Sequence, residues 1–294
     1  MVKNDGMKSR FVAVFVASTG IAMSLILSGC GTSPTPTPTT TPTPSATASA
    51  TLSHTVTVPV TKAFAQYWVA DTSRGFRLYR EYVRLEVTPD PIATSLRSLI
   101  AGTPKDSDYV TLWPKETKIN SVVVAGDKAT IDLTLGKMNV GAEAESLAIA
   151  QLVWTATAAD TKVTRVQLTV DGKMVESIAG HVDATKPFKR GLTYEVLAPI
   201  WITSPEEGAQ VSAQGFKLSG MASTFEANVA WKVFQNGKLV QQGSTLASEA
   251  APAWKPWSVA IKGLMPGKYM FIAMEFSPKD GSLVAQDTKN ATLI

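Results

Sequence analysis

The clearest chemistry in the chain belongs to Cys30, the only cysteine among 294 residues, which closes the run Leu27-Ser28-Gly29-Cys30. Ahead of it stand a basic start with Lys3, Lys8 and Arg10 and an apolar stretch from Phe11 to Leu27. A basic start, an apolar middle and small residues before a thiol describe a secretory signal over 1–29. Leu27, Ser28 and Gly29 read as a bacterial lipobox, with Cys30 acylated and left as the new N-terminus. Each buried methylene contributes about 0.8 kcal/mol, so the two acyl chains of one diacylglyceryl group hold a protein stably on a bilayer. The alternative is an uncleaved transmembrane helix, which needs about 20 apolar residues; this segment is shorter and ends in Ser-Gly-Cys. With its one thiol consumed by lipid, the chain forms no internal disulfide and no cysteine metal site.

Other reactive residues are sparse. His54 and His181 have no Cys, His or carboxylate beside them at metal-ligand spacing, and His181 reads as a surface residue. G-x-S-x-G, H-E-x-x-H, the P-loop and the dinucleotide G-x-G-x-x-G are missing. Two carboxylates that meet only in space leave no sequence signature. Glu143 and Glu145 are explained as charges at a helix N-terminus, and Asp132 as a solvent-facing hairpin residue. The reading is therefore of a non-enzyme with no catalytic residues, metal or cofactor. Recognition has better candidates. Thr224-Phe225-Glu226-Ala227 places an aromatic and a carboxylate at a strand start, although burial tendencies favour Phe225 packing inside with Glu226 solvated. Trp254 and Trp257 bracket Lys255-Pro256, with at least one of the two expected in a core.

The elements that must position these residues follow a signal and a stalk. Residues 30–60 change composition abruptly, with Pro34, Pro36, Pro38, Pro42 and Pro44 set among threonines. Repeated proline removes backbone donors, and nothing apolar is present to offset chain entropy, so the segment is an extended, semi-rigid spacer rising about 3.1 Å per residue. The formal net charge of +4 falls to +2 when Lys3, Lys8, Arg10 and Asp5 leave with the signal. No Lys/Arg block resembles a nucleic-acid footprint.

Periodicity returns over 61–190. Ala63–Ala70 and Leu78–Val87 read as strands. Asp90 is the N-cap and Pro91 the first residue of a helix whose apolar face is Ile92, Leu96, Leu99 and Ile100; Gly102 ends it. Ile119–Ala125 and Ala129–Leu133 flank Gly126-Asp127-Lys128 as a hairpin. A second helix starts near Ala142 with Leu147, Gln151 or Ala150, and Trp154 as its buried stripe. A strand over Val163–Val170 follows, turning at Asp171-Gly172. This order predicts an α+β domain. Over 191–294 the helical signal disappears. About seven short strands at regular spacing predict an all-β, immunoglobulin-like sandwich. Among them are Ile200–Ile202, Phe216–Gly220, Val229–Gln235 turning at Asn236-Gly237, and Trp257–Ile261. Lys268–Phe276 follows, with Met270, Ile272, Met274 and Phe276 on one face, and then a last pair near Leu283–Ala285 and Ala291–Ile294.

These residues resemble two known families. Leu96-x-x-Leu99-Ile100-Ala101-Gly102, the stretch from Pro114 through Leu133, Gln151-Leu152-Val153-Trp154-Thr155 and Val166-x-Leu168-x-Val170-Asp171-Gly172 are similar, in order and spacing, to the GerMN domain of sporulation and spore germination. Gly102-Thr103-Pro104 departs from the family's usual Gly-Pro. Ile202-x-Ser204-Pro205, Gly208-x-x-Val211, Leu218-x-Gly220-x-Ala222, Thr224-Phe225-Glu226-Ala227 and Ser277-Pro278-x-Asp280-Gly281 resemble the immunoglobulin-like Gmad2 domain. The resemblance implies envelope interaction modules and brings no established chemistry. Two functions are therefore expected. One is a structural or protein-interaction lipoprotein that binds envelope proteins or assembles with copies of itself. The alternative is a glycan- or peptidoglycan-binding module that stacks Trp113, Trp201 and Trp254 on sugars.

Overall fold

The computed structural model describes residues 59–294. The expected signal, the lipobox Leu27–Cys30, His54 and nearly all of the stalk lie outside the described residues.

The first domain runs β1 (Thr61–Ala70), β2 (Arg77–Glu86), α1 (Pro91–Ala101), β3 (Lys118–Ala125), β4 (Lys128–Thr134), α2 (Ala142–Ala159), β5 (Arg165–Val170) and β6 (Lys173–Met174). Asp90 caps α1 by accepting from the Ala93 amide at 2.9 Å, and Pro91 loses no hydrogen bond there because first-turn amides lack helical partners. Ile92, Leu96, Leu99 and Ile100 are all buried. β1 and β2 form a separate antiparallel ribbon. The other four strands make a sheet ordered β3-β4-β5-β6, in which β4 and β5 run parallel. A parallel pair needs a crossover, and α2 supplies it. The helix is buried from Leu147 to Thr157 over most of its circumference, not along the single stripe that spacing indicated, because the ribbon, α1 and β5 all pack on it.

Glu145 departs from its expected role. It is fully buried, and its carboxylate accepts from the amides of Ile178 (3.0 Å), Ala179 (2.8 Å) and His181 (2.8 Å). It fastens a loop rather than answering a helix dipole. Asp132 is half-buried and accepts from the Thr169 hydroxyl and the Gly172 amide, both at 2.7 Å, which ties the hairpin to the turn after β5.

A one-turn helix, α3 (Thr193–Val196), leads into β7 (Ile200–Ser204), β8 (Ala209–Val211), β9 (Phe216–Ala222), β10 (Asn228–Gln235), β11 (Lys238–Leu246), β12 (Lys255–Ile261), β13 (Gly267–Phe276) and β14 (Leu283–Leu293). Two sheets, ordered β11-β10-β13-β14-β8 and β12-β9-β7, close over Ile202, Leu218, Val229, Val233, Trp257 and Phe271 as an immunoglobulin-like sandwich. Asn236 and Gly237 both have positive φ, as the two-residue turn between β10 and β11 requires. Two expectations change. The final strand pair is one continuous strand, β14. The core face of β13 is Tyr269, Phe271 and Ala273; on the expected face Met270 and Ile272 are half-buried and Phe276 is exposed, with only Met274 buried.

Candidate functional site: the domain junction and its cleft

β14 makes the junction between the domains. Only its last residues, Ala291–Leu293, pair with β8, so the edge over Leu283–Lys289 has no strand neighbour. An open edge offers unpaired backbone groups, and the first domain answers two of its carbonyls. The Ser73 hydroxyl donates to the Val284 carbonyl at 2.5 Å and the Tyr79 hydroxyl to the Gln286 carbonyl at 2.9 Å.

The inner face of the same strand carries Asp287 and Lys289 between Ala285 and Ala291, where alternation calls for apolar residues. The loop after α1 reaches them. Lys289 pairs with Asp106, donates to the Tyr109 hydroxyl at 2.7 Å and meets Asp287 at 3.2 Å. Tyr109 donates to Asp287 at 2.6 Å, and the Ile202 amide donates to the other Asp287 oxygen at 2.6 Å. Tyr79 stacks on Tyr109 with ring centroids 5.0 Å apart. Glu81 accepts from the Lys105 and Asp106 amides at 3.0 and 2.9 Å and fixes the loop. Burial works against the Lys289 charge, but Asp287 and Asp106 outweigh it and hold the ammonium above its ordinary pKa. Burial raises the Asp287 carboxyl against the pull of Lys289. Tyr79 and Tyr109 are raised by burial first and then by the neighbouring carboxylates.

Beside this polar cluster opens a cleft of about 330 Å³. Arg74 reaches it from the turn between β1 and β2, Arg77 from the start of β2, Tyr194 from α3, and Phe225, Trp254 and Glu275 from the sandwich. Phe225 is 52% exposed and Tyr194 58%, so two large aromatic side chains stand at its mouth. Glu275 is buried in its wall, with one oxygen accepting from the Phe225 amide at 3.3 Å and the other without a hydrogen-bond partner among the described residues. Burial raises its pKa, opposed by the Phe225 amide and Arg74.

The recognition candidates divide between this cleft and the core. Phe225 and Glu226 point outward because Phe225–Ala227 forms a 3-10 turn in which Glu226 and Ala227 both have positive φ. That conformation costs a non-glycine residue about 1–2 kcal/mol and ejects the ring that burial tendency placed inside. Thr224 is fully buried, its carbonyl accepting from Ala227 and Ala251, and Trp257 is buried in the sandwich core; neither lines the cleft. Trp254 is half-buried and stacks on Trp201 at 4.3 Å while lining the cleft. Trp113 and Trp201 are buried, so the three rings proposed for sugar stacking form no exposed platform. Among the described residues no group of three or more His, Cys, Asp and Glu is arranged to hold a metal, and no helix is long and apolar enough to cross a membrane. Sequence reasoning missed Tyr194, Glu275 and the whole junction. The available signal was the charged pair Asp287 and Lys289, two residues apart on a strand face otherwise made of Ala285, Ala291 and Leu293.

The class defined by this architecture is a two-domain module, an α+β domain joined to an immunoglobulin-like sandwich with a cleft at their seam. The first domain matches the family Germane, sporulation and spore germination, over 65–176, and the second matches Gmad2, the immunoglobulin-like domain of bacterial spore germination, over 199–282. The chain carries a GerMN-type Germane domain followed by a Gmad2 domain. No curated protein matches it. Solved structures similar to part of it include a "Putative Lipoprotein from Clostridium perfringens", 23% identical, covering 46% of this chain and 93% of that one with a TM-score of 0.33. The tandem GerMN domains of the sporulation protein GerM from Bacillus subtilis are 19% identical, with 45% of each chain covered and a TM-score of 0.35. The first of those domains alone is 18% identical, with 44% and 98% covered and a TM-score of 0.38. Likenesses of this size carry nothing further about function.

Proposed function

We propose that this protein is a lipoprotein anchored through Cys30 on the outer side of a bacterial cell membrane, where it binds envelope proteins rather than catalysing a reaction. The observation that carries the binding role is the cleft at the domain seam. Exposed Phe225 and Tyr194 flank a buried, incompletely hydrogen-bonded Glu275, and aromatic anchors around a desolvated polar group are what protein contact sites use. The lipobox and the Pro/Thr stalk support the anchor, and the two domain families support a link to spore formation or germination.

The test is site-specific photo-crosslinking in cells of the full chain, with the photoreactive residue at 225 or 194 and, as control, at Met265, which is 75% exposed. Discrete adducts from the first two positions only are expected, with an adduct of twice the chain mass marking self-assembly. Equal labelling from all three positions would dismiss the cleft as the contact site. Cys30→Ala is expected to move the protein out of the membrane fraction, and an unchanged distribution would refute the anchor.

A further inference from the structure

On the first domain, away from the cleft, lies a groove of about 630 Å³ beside the end of α2. Arg80, Lys189 and Arg190 line it and no carboxylate does. Neither arginine forms an ion pair with any described residue. Both are nevertheless held in place by stacking. The Arg190 guanidinium lies 4.4 Å from the Trp154 ring centre, and that of Arg80 lies 4.8 Å from Tyr82 and 5.2 Å from Trp201. Arg190 also donates Nε to the Thr157 hydroxyl at 2.7 Å and Nη2 to the Trp154 carbonyl at 3.4 Å, which fastens it against the last turns of α2, and its Nη1 makes no hydrogen bond among the described residues. Arg80 reaches Thr203 only at 3.5 Å, and its Nε is buried with no partner among the described residues. Burial pushes the Tyr67 hydroxyl above its ordinary pKa, opposed by the charges of Arg80 and Arg190.

Stacked guanidiniums without a carboxylate partner among the described residues are pre-organised donors for an oxyanion. The end of α2 opposes an anion with about half a negative charge, against three full positive charges on the lining side chains. Three cations exceed what one carboxylate neutralises and suit a phosphate group. We propose that this groove binds a phosphate ester, with Arg80 and Arg190 as the fork and Lys189 at the rim. The phosphate comes from a soluble or polymeric ester or from the headgroup of an anionic lipid.

The test titrates the full chain in non-ionic detergent with glycerol phosphate and with inorganic phosphate, followed by phosphorus NMR and calorimetry, alongside detergent-free flotation of the unlipidated Cys30→Ala mature chain with vesicles containing phosphatidylglycerol, so that the lipid anchor does not itself carry the protein to the bilayer. Saturable binding is expected, weakened at least about tenfold by Arg80→Gln and less by Lys189→Gln, and not displaced by equimolar acetate. Lys189 is exposed and forms no ion pair among the described residues, so its variant reports on binding even if Arg80→Gln unfolds the domain. Binding of the small phosphates identifies a soluble or polymeric ester, whereas arginine-dependent flotation without it identifies the headgroup; either supports the site. Failure of all three probes to bind, binding indifferent to both substitutions, or displacement by acetate would overturn it.

Discussion

Glu275 and Lys289 are buried charges with opposite consequences for pH. The Glu275 carboxyl is raised in the fold, so the native state holds its proton more tightly than the unfolded chain. The stability this residue costs at neutral pH is regained as pH falls through its folded pKa. Glu275→Gln is therefore expected to melt above wild type at pH 7 and to converge with it toward pH 4, measured by thermal denaturation. A constant offset would mean that Glu275 has a partner at neutral pH. Lys289, Tyr79 and Tyr109 are all raised, so their contributions are complete below about pH 10 and are lost as pH climbs through the folded values. Alkaline titration should show the tyrosinate band of these two residues appearing together with loss of structure, not before it. Lys289→Ala strands Asp106 and Asp287 without their cation and is expected to cost about 3–5 kcal/mol in denaturant unfolding.

At the scale of elements, β7 and β9 approach so closely that a Cβ on Gly220 would sit 1.8 Å from the Trp201 carbonyl oxygen. Backbone cannot yield there as a side-chain tip would. Gly220→Ala should destabilise the sandwich by about 2–4 kcal/mol, whereas alanine at Gly208, where nothing lies within 4 Å, is limited to the smaller strain of its positive φ. Such elements were largely legible in the sequence. The Asp90-Pro91 cap, the face of α1 and the Asn236-Gly237 turn follow from local rules that neighbours rarely override. Glu145 was not legible, because a carboxylate two residues from another in a helix's first turn looks like a dipole partner until the loop over Ile178–His181 folds onto it. The outward turn of Phe225 was not legible either, since two successive non-glycine residues at positive φ contradict local preference and are held by the contacts of Thr224 and Ala227 with Ala247 and Ala251. The face of β13 that became core was decided by the opposite sheet.

For the whole molecule, the junction predicts one cooperative unit. Leu197, Ala198 and Trp201 belong to the core of the first domain although they lead into the second, and the Ala198 amide donates to the Leu78 carbonyl at 3.0 Å. Calorimetry should give a single transition, and Lys289→Ala should split or broaden it by uncoupling the halves. Two unfolding steps in the wild type would show that the seam is too weak to join them. The cleft depends on the same seam, because its arginines come from one domain and Phe225, Trp254 and Glu275 from the other. Uncoupling is therefore also expected to abolish crosslinking from position 225.

The charged face of β14 also limits how such chains can be recombined. A sandwich transplanted behind a different first domain would bring Asp287 and Lys289 against a loop without Asp106 and Tyr109, burying charge with no answer. The four residues, two from each domain, would have to be inherited as a set, so the boundary between the domains is not where this protein can be cut and rejoined.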